Sequence, residues 1–484
     1  MTSVAKAMES LRVLTQSAPI STLAEAFRRA GHDLALVGGP VRDAFLGREV
    51  NDLDFTTSAK PDEVEAIVKP LSDATWDVGR AFGTIAAQFG EMTIEITTYR
   101  ADTYDGSSRK PEVAFGDSLE ADLYRRDFTM NAMALTVPDL VLVDPCGGLQ
   151  DLLDGVLRTP IAPQESFHDD PLRMMRGARF VSQLGASIDP DTLQAMAALA
   201  PRLSDISAER ARDELVRLLS TDSPRSGLEI LVDSGLADVV LPEVPALRLE
   251  SDEHAHHKDV YQHSLTVVEQ AIDEEKRRFP GQSPDVVLRL AALLHDIGKP
   301  ATRRFEAGGQ VTFYHHDVVG AKLAKKRLRA LRFDNDTINQ VALLIELHLR
   351  FFGYADQAWS DSAVRRYVRD AGDQLERLHI LVRADVTTRN KRKADRLSFA
   401  YDDLEARIAE LAKKEELGAI RPDLNGDEIM EILGIRPGRE VGAAYAYLME
   451  VRLDEGEIGR EAATARLLEW WQDHRSVAGG GEPA

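Results

Sequence analysis

The chain carries a single cysteine, Cys146, among its 484 residues. That excludes an internal disulfide and a zinc cluster built on cysteine. No apolar run approaches the ~20 residues needed to cross a membrane. The stretch Met1 to Ser10 lacks a basic segment leading into an apolar one, so no secretory signal is expected and a cytoplasmic location is the default. Positive charge is also scarce, with 59 Lys and Arg against 80 Asp and Glu, a net charge of −21. A protein that grips nucleic acid over a wide surface usually shows a basic domain. Any nucleic acid here must meet local patches, of which Lys322 to Arg329 and Arg389 to Arg396 are the visible ones. Each patch reads equally well as a solvated helix face.

What is present is an ordinary globular composition, 44% hydrophobic and 29% charged, with a length that predicts about three domains. The organising stretch is Leu34-Ala-Leu-Val-Gly38-Gly39-Pro-Val-Arg42-Asp43, followed by Asn51-Asp52-Leu53-Asp54-Phe55. It predicts an apolar strand, a double-glycine turn, a short helix and a second strand. Gly38 and Gly39 leave the turn without side chains, so backbone N–H groups can approach an anion. Pro40 suits the first position of a helix, whose dipole would favour a phosphate there. Asp52 and Asp54, two apart on a strand, share a face and can hold one hard cation. Further on, 83–90 and 92–99 alternate as a hairpin, with Glu95 the one acid inside its second strand. Arg100 to Pro111 has no periodicity and is long for a hairpin loop.

Downstream, Asp122-Leu-Tyr-Arg125-Arg126-Asp127-Phe-Thr-Met-Asn131 is dense in charge beside an apolar pattern, and Asp144-Pro-Cys-Gly147-Gly148 is turn-rich. From Leu149 to about Leu249 the pattern is helical. Within it Asp170, Arg173, Arg176 and Arg179 recur every third residue, which on a helix gives a polar stripe beside Leu172, Met175 and Ala178. Read alone, this is a salt-bridged surface helix. Eight of the twelve histidines fall between His254 and His348. His263, the pair His295-Asp296 and Asp385 supply imidazole and carboxylate from separate helices, as a metal centre requires. The tail Ala478 to Ala484 is expected to be disordered.

Taken together, these motifs resemble the bacterial class II tRNA nucleotidyltransferases, the CCA-adding enzymes grouped with bacterial poly(A) polymerases. The likeness rests on Val37 to Asp43, Asp52-Leu-Asp54, Arg125 to Ala132, Asp169 to Arg176, and Glu209-Arg210 to Glu214-Leu215. It implies an α+β, polymerase-β-like nucleotidyltransferase head over 1–150. An all-α remainder would follow: a neck over 151–249, an HD-type phosphohydrolase domain over 250–400 and a tail over 401–475, before a disordered 476–484. It also implies template-independent addition of CCA to tRNA from CTP and ATP. Asp52 and Asp54 would bind catalytic Mg2+, with Glu95 as a third carboxylate. Gly38, Gly39, Arg42 and Arg126 would meet the nucleotide's phosphates and sugar. Asp170 and Arg173 would read the base edge, with Arg176 and Arg179 lining the nucleotide site; a carboxylate accepts from the exocyclic amine common to C and A.

The family's Glu-Asp pair stands here as Asp169-Asp170. The stretch Arg100 to Pro111 matches the flexible loop needed for the terminal A. In the histidine-rich region the resemblance implies a divalent metal on His263, His295, Asp296 and Asp385, with His316 and His348 serving a second ion. A poly(A) polymerase, which shares the head, is the alternative activity. The HD region is either a hydrolase or a tRNA-binding body. Oligomeric state is left open.

Overall fold

The computed structural model describes residues 3–50, 53–79, 83–102, 113–116, 118–248, 259–306, 311–351, 353–354, 359–387, 390–415 and 420–478. They form two compact units, Met1–Pro242 and Glu243–Ala484. Asp52 lies outside the described residues, as do 103–111 of the expected flexible loop.

The first unit opens with α1 (Val4–Gln16) and α2 (Ile20–Arg29), then β1 (Leu34–Val37), α3 (Gly39–Leu46), β2 (Leu53–Thr57), α4 (Pro61–Val68), β3 (Ala74–Gly79), β4 (Thr84–Phe89) and β5 (Met92–Thr98). Short strands β6 (Arg100–Asp102) and β7 (Val113–Phe115) pair with each other, so the aperiodic stretch begins with strand rather than loop. Then come α5 (Leu119–Tyr124), β8 (Ala134–Thr136) and β9 (Leu142–Val143). Seven strands make one mixed sheet in the order β3-β4-β5-β2-β1-β8-β9. Leu34, Leu36, Leu53, Phe55, Ile85, Ile94 and Ile96 point from one face into the main core. Because side chains alternate along a strand, Asp54 and Glu95 must emerge on the other face.

The helical part of this unit runs α6 (Gly148–Asp154), β10 (Val156–Leu157), α7 (Pro163–Asp169), α8 (Leu172–Leu184), β11 (Ser187–Ile188), α9 (Pro190–Leu199), α10 (Ala208–Leu219), α11 (Arg225–Asp233) and α12 (Leu236–Val240). No break falls at 150, because α6 crosses that position. Leu157, Phe180, Val181 and Ala186 join the core that the sheet builds. Phe180 on α8 meets Phe128 edge-to-face, with ring centroids 5.8 Å apart. Expected neck and expected head therefore share one hydrophobic core.

The second unit holds α13 (Val260–Arg278), α14 (Val286–Leu294), α15 (Lys299–Thr302), the small hairpin β12 (Arg304–Phe305) and β13 (Val311–Thr312), α16 (His316–Ala330), α17 (Asn335–Leu347), α18 (Asp361–Ala371), α19 (Leu375–Ala384) and α20 (Lys391–Lys414). Helices α21 (Gly426–Leu433), α22 (Arg439–Glu455) and α23 (Arg460–Ala478) complete it. Helix α20 runs through the expected boundary at 400, because Leu397, Tyr401, Leu404, Ile408 and Leu411 form one continuous buried stripe. Leu424, Ile429, Ala444, Leu448, Ala463 and Leu467 make a separate small core for the last three helices. Helix α23 reaches Ala478, so 476–478, expected to be disordered, are helical. Among the described residues no helix is long and apolar enough to cross a membrane.

Candidate active site and metal centre

Strand β1 ends at Gly38, whose φ of +75° a side chain would strain. The Gly38 N–H donates to the Met133 carbonyl at 3.1 Å. Helix α3 starts at once, with Pro40 in its first turn and no side chain capping its N-terminus. The turn is flanked by two guanidinium groups. A Cβ on Gly38 would sit 3.3 Å from Arg126 Nη1, and one on Gly39 would sit 3.8 Å from Arg42 Nη2. Arg126 keeps its Nε buried without a hydrogen-bond partner, while its Nη2 donates to Asp122 Oδ2 at 3.1 Å. Glycine backbone free of side chains, an uncapped helix N-terminus and two cations make this turn an anion cradle.

The carboxylates lie beside it. In the parallel pairing of β2 and β5, Asp54 is the register partner of Glu95. Leu36 of β1 pairs with Phe55, so Asp54 stands one step further, level with the end of β1 where the glycine turn begins. Glu95 is exposed and Asp54 half-buried. Two carboxylates on one face, next to an anion cradle, suit a hard divalent cation shared with phosphate oxygens.

A buried polar chain then runs from the cradle to α8. Arg42 Nη1 donates to Asn131 Oδ1 at 2.7 Å, and Asn131 Nδ2 donates to Asp127 Oδ1 at 3.0 Å. Asp127 Oδ2 takes a bond from Arg176 Nε at 2.8 Å and lies 2.6 Å from its Nη2. Burial pushes the Asp127 pKa up, but the Arg176 cation and the bonds from Asn131, Arg176 and the Phe128 amide outweigh it, bringing the group to about 2. Buried Glu214 on α10 accepts from Arg179 Nε at 2.7 Å and also faces Arg176 and Arg217. Phe180 lies within this set, its ring 4.2 Å from the Arg179 guanidinium and 5.4 Å from that of Arg42.

The expected base-reading pair is held as tightly. Arg173 is buried and donates through Nη1 to Ser166 Oγ at 2.8 Å and through Nη2 to the Arg125 carbonyl at 2.5 Å. Asp170 precedes α8; its Oδ1 accepts from the Leu172 N–H at 3.1 Å and its Oδ2 from Arg210 Nη2 at 2.9 Å. Within the polar stripe Arg173 and Arg179 are therefore buried, both 8% exposed, while Asp170 and Arg176 are half-buried. Asp127, Asn131 and Glu214 stand inside motifs quoted above but had no role assigned from sequence. Ser166 carried no signal at all.

In the second unit His263 from α13, His295-Asp296 from the end of α14, His316 opening α16, His348 closing α17 and Asp385 closing α19 come together. His263, His295 and Asp385 form one group able to hold a metal ion, and Asp296, His316 and His348 a second. Asp296 stands between them, Oδ2 being 3.2 Å from His295 Nε2 and Oδ1 3.2 Å from His316 Nε2. Each imidazole is fixed through Nδ1: His295 to the Ala292 carbonyl, His316 to that of Phe313, His348 to that of Ile345, and His263 to the Thr387 hydroxyl. This leaves Nε2 as the inward-facing atom of each ring, the one that would ligate a metal. His348 Nε2 is buried and makes no hydrogen bond, while buried His316 Nε2 has only the Asp296 carboxylate beside it. Burial lowers the His348 pKa to about 4, which keeps it neutral. Burial also disfavours charge on His295, but the facing Asp296 and Asp385 carboxylates win and raise its pKa to about 10, so the pocket attracts positive charge. Gly298 lets the chain close over the site, since a Cβ there would fall 2.1 Å from the His316 carbonyl oxygen.

Family models match three stretches: "Poly A polymerase head domain" at 34–158, "Probable RNA and SrmB- binding site of polymerase A" at 185–247, and "HD domain" at 260–390. The A-adding tRNA nucleotidyltransferase of Deinococcus radiodurans is 32% identical over 446 residues, 91% of this chain and 95% of its own. The CC-adding tRNA nucleotidyltransferase of Thermus thermophilus is 30% identical over 458 residues, 92% of this chain and 95% of its own. The crystal structure of the Bacillus stearothermophilus CCA-adding enzyme in complex with CTP is similar with a TM-score of 0.66 at 25% identity, covering 94% of this chain and 98% of that one. On these full-length likenesses, and on a glycine turn set between two guanidinium groups beside paired carboxylates, the chain belongs to the tRNA nucleotidyltransferase family, in the branch that carries an HD domain.

Proposed function

We propose that this chain completes the 3′ end of tRNA, adding cytidylate and adenylate from CTP and ATP without a template to give CCA. The observation that carries this reading is the placement of Gly38 and Gly39 between Arg42 and Arg126, level with Asp54 and Glu95. In that arrangement Arg42, Arg126 and the turn amides bind the triphosphate. Asp52, Asp54 and Glu95 would hold the divalent metal the family depends on, which we take to be Mg2+. When bound, it supplies charge neutralisation at the phosphates and a lowered pKa for the attacking hydroxyl. The 3′-hydroxyl oxygen bonds to the α-phosphorus, the bond to the bridging oxygen breaks, and pyrophosphate leaves.

Base choice falls to Asp170 and Arg173, whose edges are held rigid by Arg210, Ser166 and the Arg125 carbonyl. Arg176 and Arg179 line the same side and tie it to Asp127 and Glu214. We assign head, neck, HD domain and tail to 1–150, 151–249, 250–400 and 401–475 as functional regions, working in the cytoplasm.

Full-length relatives carry the names A-adding and CC-adding, so the deciding assay supplies tRNAs ending before CCA and after CC. CTP and ATP are given separately and together. Sequential incorporation of C, C and A is expected. Addition of A alone, or of CC alone, would restrict the chain to half the task, and a long adenylate tail on unstructured RNA would favour a poly(A) polymerase.

A second reading concerns the HD domain. The buried Nε2 atom of His348, without a hydrogen-bond partner, and that of His316, 3.2 Å from Asp296 Oδ1, favour a two-ion centre that hydrolyses phosphoesters. Metal analysis and a phosphodiesterase assay on the parent and on His295→Ala test it. A parent that binds no metal would leave only a binding role for this domain.

A further inference from the structure

Ser166 belongs to no motif, yet it touches both residues assigned to base reading. It lies on α7, fully buried, and its carbonyl accepts the Asp170 N–H at 3.3 Å. The same carbonyl accepts from Arg173 Nη1 at 3.3 Å, and the Ser166 hydroxyl accepts from that nitrogen at 2.8 Å. Arg173 Nη2 donates to the Arg125 carbonyl, next in sequence to Arg126 at the cradle. The guanidinium is thus gripped at both terminal nitrogens, between α7 and the segment that flanks the triphosphate.

What holds Arg173 differs in kind from what holds its neighbours on α8. Arg176 pairs with Asp127 and Arg179 with Glu214, both carboxylates. Arg173 makes no ion pair among the described residues. Its acceptors are one hydroxyl and two carbonyls, all neutral. A carboxylate would draw the planar fork onto itself in two parallel bonds. A neutral acceptor fixes the direction of the fork and leaves its charge and its remaining donors to a ligand. Nothing among the described residues accepts from Arg173 Nε, so that donor stays available.

Direction matters because of what the four bases offer. Cytosine N3 and adenine N1 are acceptors, whereas uracil N3 and guanine N1 carry hydrogen. A guanidinium that cannot turn aside sets donor against donor for U and G. One that is free to swing lets water take up the mismatch, and the rejection fades.

We propose that Ser166 is a specificity-determining positioning residue, whose hydroxyl holds the Arg173 guanidinium by a neutral bond in the orientation that rejects UTP and GTP. The assignment rests on base reading by Arg173 and names the group that makes that reading selective.

The test uses the full chain with tRNAs ending before CCA and after CC, each nucleotide supplied alone, and reads kcat/KM for all four. Ser166→Cys fills the same space with a poor acceptor. It and Ser166→Ala should each lower discrimination against UTP and GTP about tenfold, the worth of one hydrogen bond to a charged group. Arg173→Ala should lower it at least as far. Adding Ser166→Ala to Arg173→Ala should change discrimination no further, because the serine acts through the arginine. A role in packing alone would scale all four kcat/KM values by one factor and leave their ratios unchanged, which would overturn the proposal. Discrimination lost with Ser166→Ala but kept with Ser166→Cys, or additive losses in the double variant, would overturn it too. Ratios lost with Arg173→Ala yet intact in both serine variants would sink this assignment and leave base reading standing. Unchanged ratios in Arg173→Ala would remove base reading itself, and the role of Ser166 with it.

Discussion

Asp127 shows how much one buried carboxylate can govern. Its pKa falls from an ordinary 3.8 to about 2, so it stabilises the folded unit fully above about pH 4 and loses that contribution as pH drops through 2. A shift of this size corresponds to about 2.5 kcal/mol. Asp127→Asn should remove this acid limb. At pH 7 it should destabilise the first unit by about 1.5–3 kcal/mol, because half-buried Arg176 loses its closest carboxylate and keeps only the more distant Glu214; urea denaturation at pH 7 and at pH 3 reads both effects. The cradle offers a second substitution. Gly38→Ala forces a methyl group into the left-handed region and to 3.3 Å from Arg126 Nη1. Backbone strain of about 1–2 kcal/mol should raise KM for CTP and ATP together. A change in the ratio of C to A incorporation would contradict it, since no base-reading residue touches the turn.

At the scale of elements, α8 is the part on which both halves of the first site depend. It reaches the cradle through Arg176 and Asp127, and it packs against α11 where Gly227 leaves no room for a side chain. A Cβ at Gly227 would lie 2.4 Å from the Ala178 carbonyl oxygen. Gly227→Ala should therefore push α11 off α8 at a cost of about 1–3 kcal/mol and lower kcat, although no substrate group lies near. Thermal denaturation with nucleotide-incorporation kinetics checks it. Sequence alone made the strand–turn–helix of the cradle legible, because Gly38, Gly39, Pro40 and the Asp-Leu-Asp run carry local rules. It also made the histidine ligands legible, since their residue types name their chemistry. The neighbours of Arg173 were not legible. Ser166 is a residue with no pattern of its own, and the Arg125 carbonyl is 48 positions distant. The burial of Arg179 and the internal pairing of Arg176 were misread from their charge for the same reason. Glu214 and Asp127 neutralise those arginines only once α10 and the head are folded against α8.

Over the whole molecule, each unit has its own core and its own polar centre, and the centres answer to different perturbations. In the first, the polar chain from Arg42 to Glu214 is complete with protein groups alone. In the second, His348 keeps an unpartnered Nε2 atom, and Asp296 and Asp385 face each other's histidines with their carboxyl pKa values driven below the ordinary range. Buried polar atoms without partners are costly, so a metal ion at this centre should stabilise the helices that supply its ligands. At a free concentration one hundred times its Kd, an ion adds about 2.7 kcal/mol. Stripping metal with a chelator should therefore raise amide hydrogen exchange in α13, α14, α16, α17 and α19 and leave α8 and α10 unchanged. Asp127→Asn should do the reverse. His348→Ala should lower bound metal by about half if Asp296, His316 and His348 hold their own ion, while His295→Ala removes a ligand from the other group. Equal metal content in the parent and in His348→Ala would reduce the centre to a single ion. Exchange that rises equally in both units on chelation would show that the metal supports the whole chain and not the HD centre.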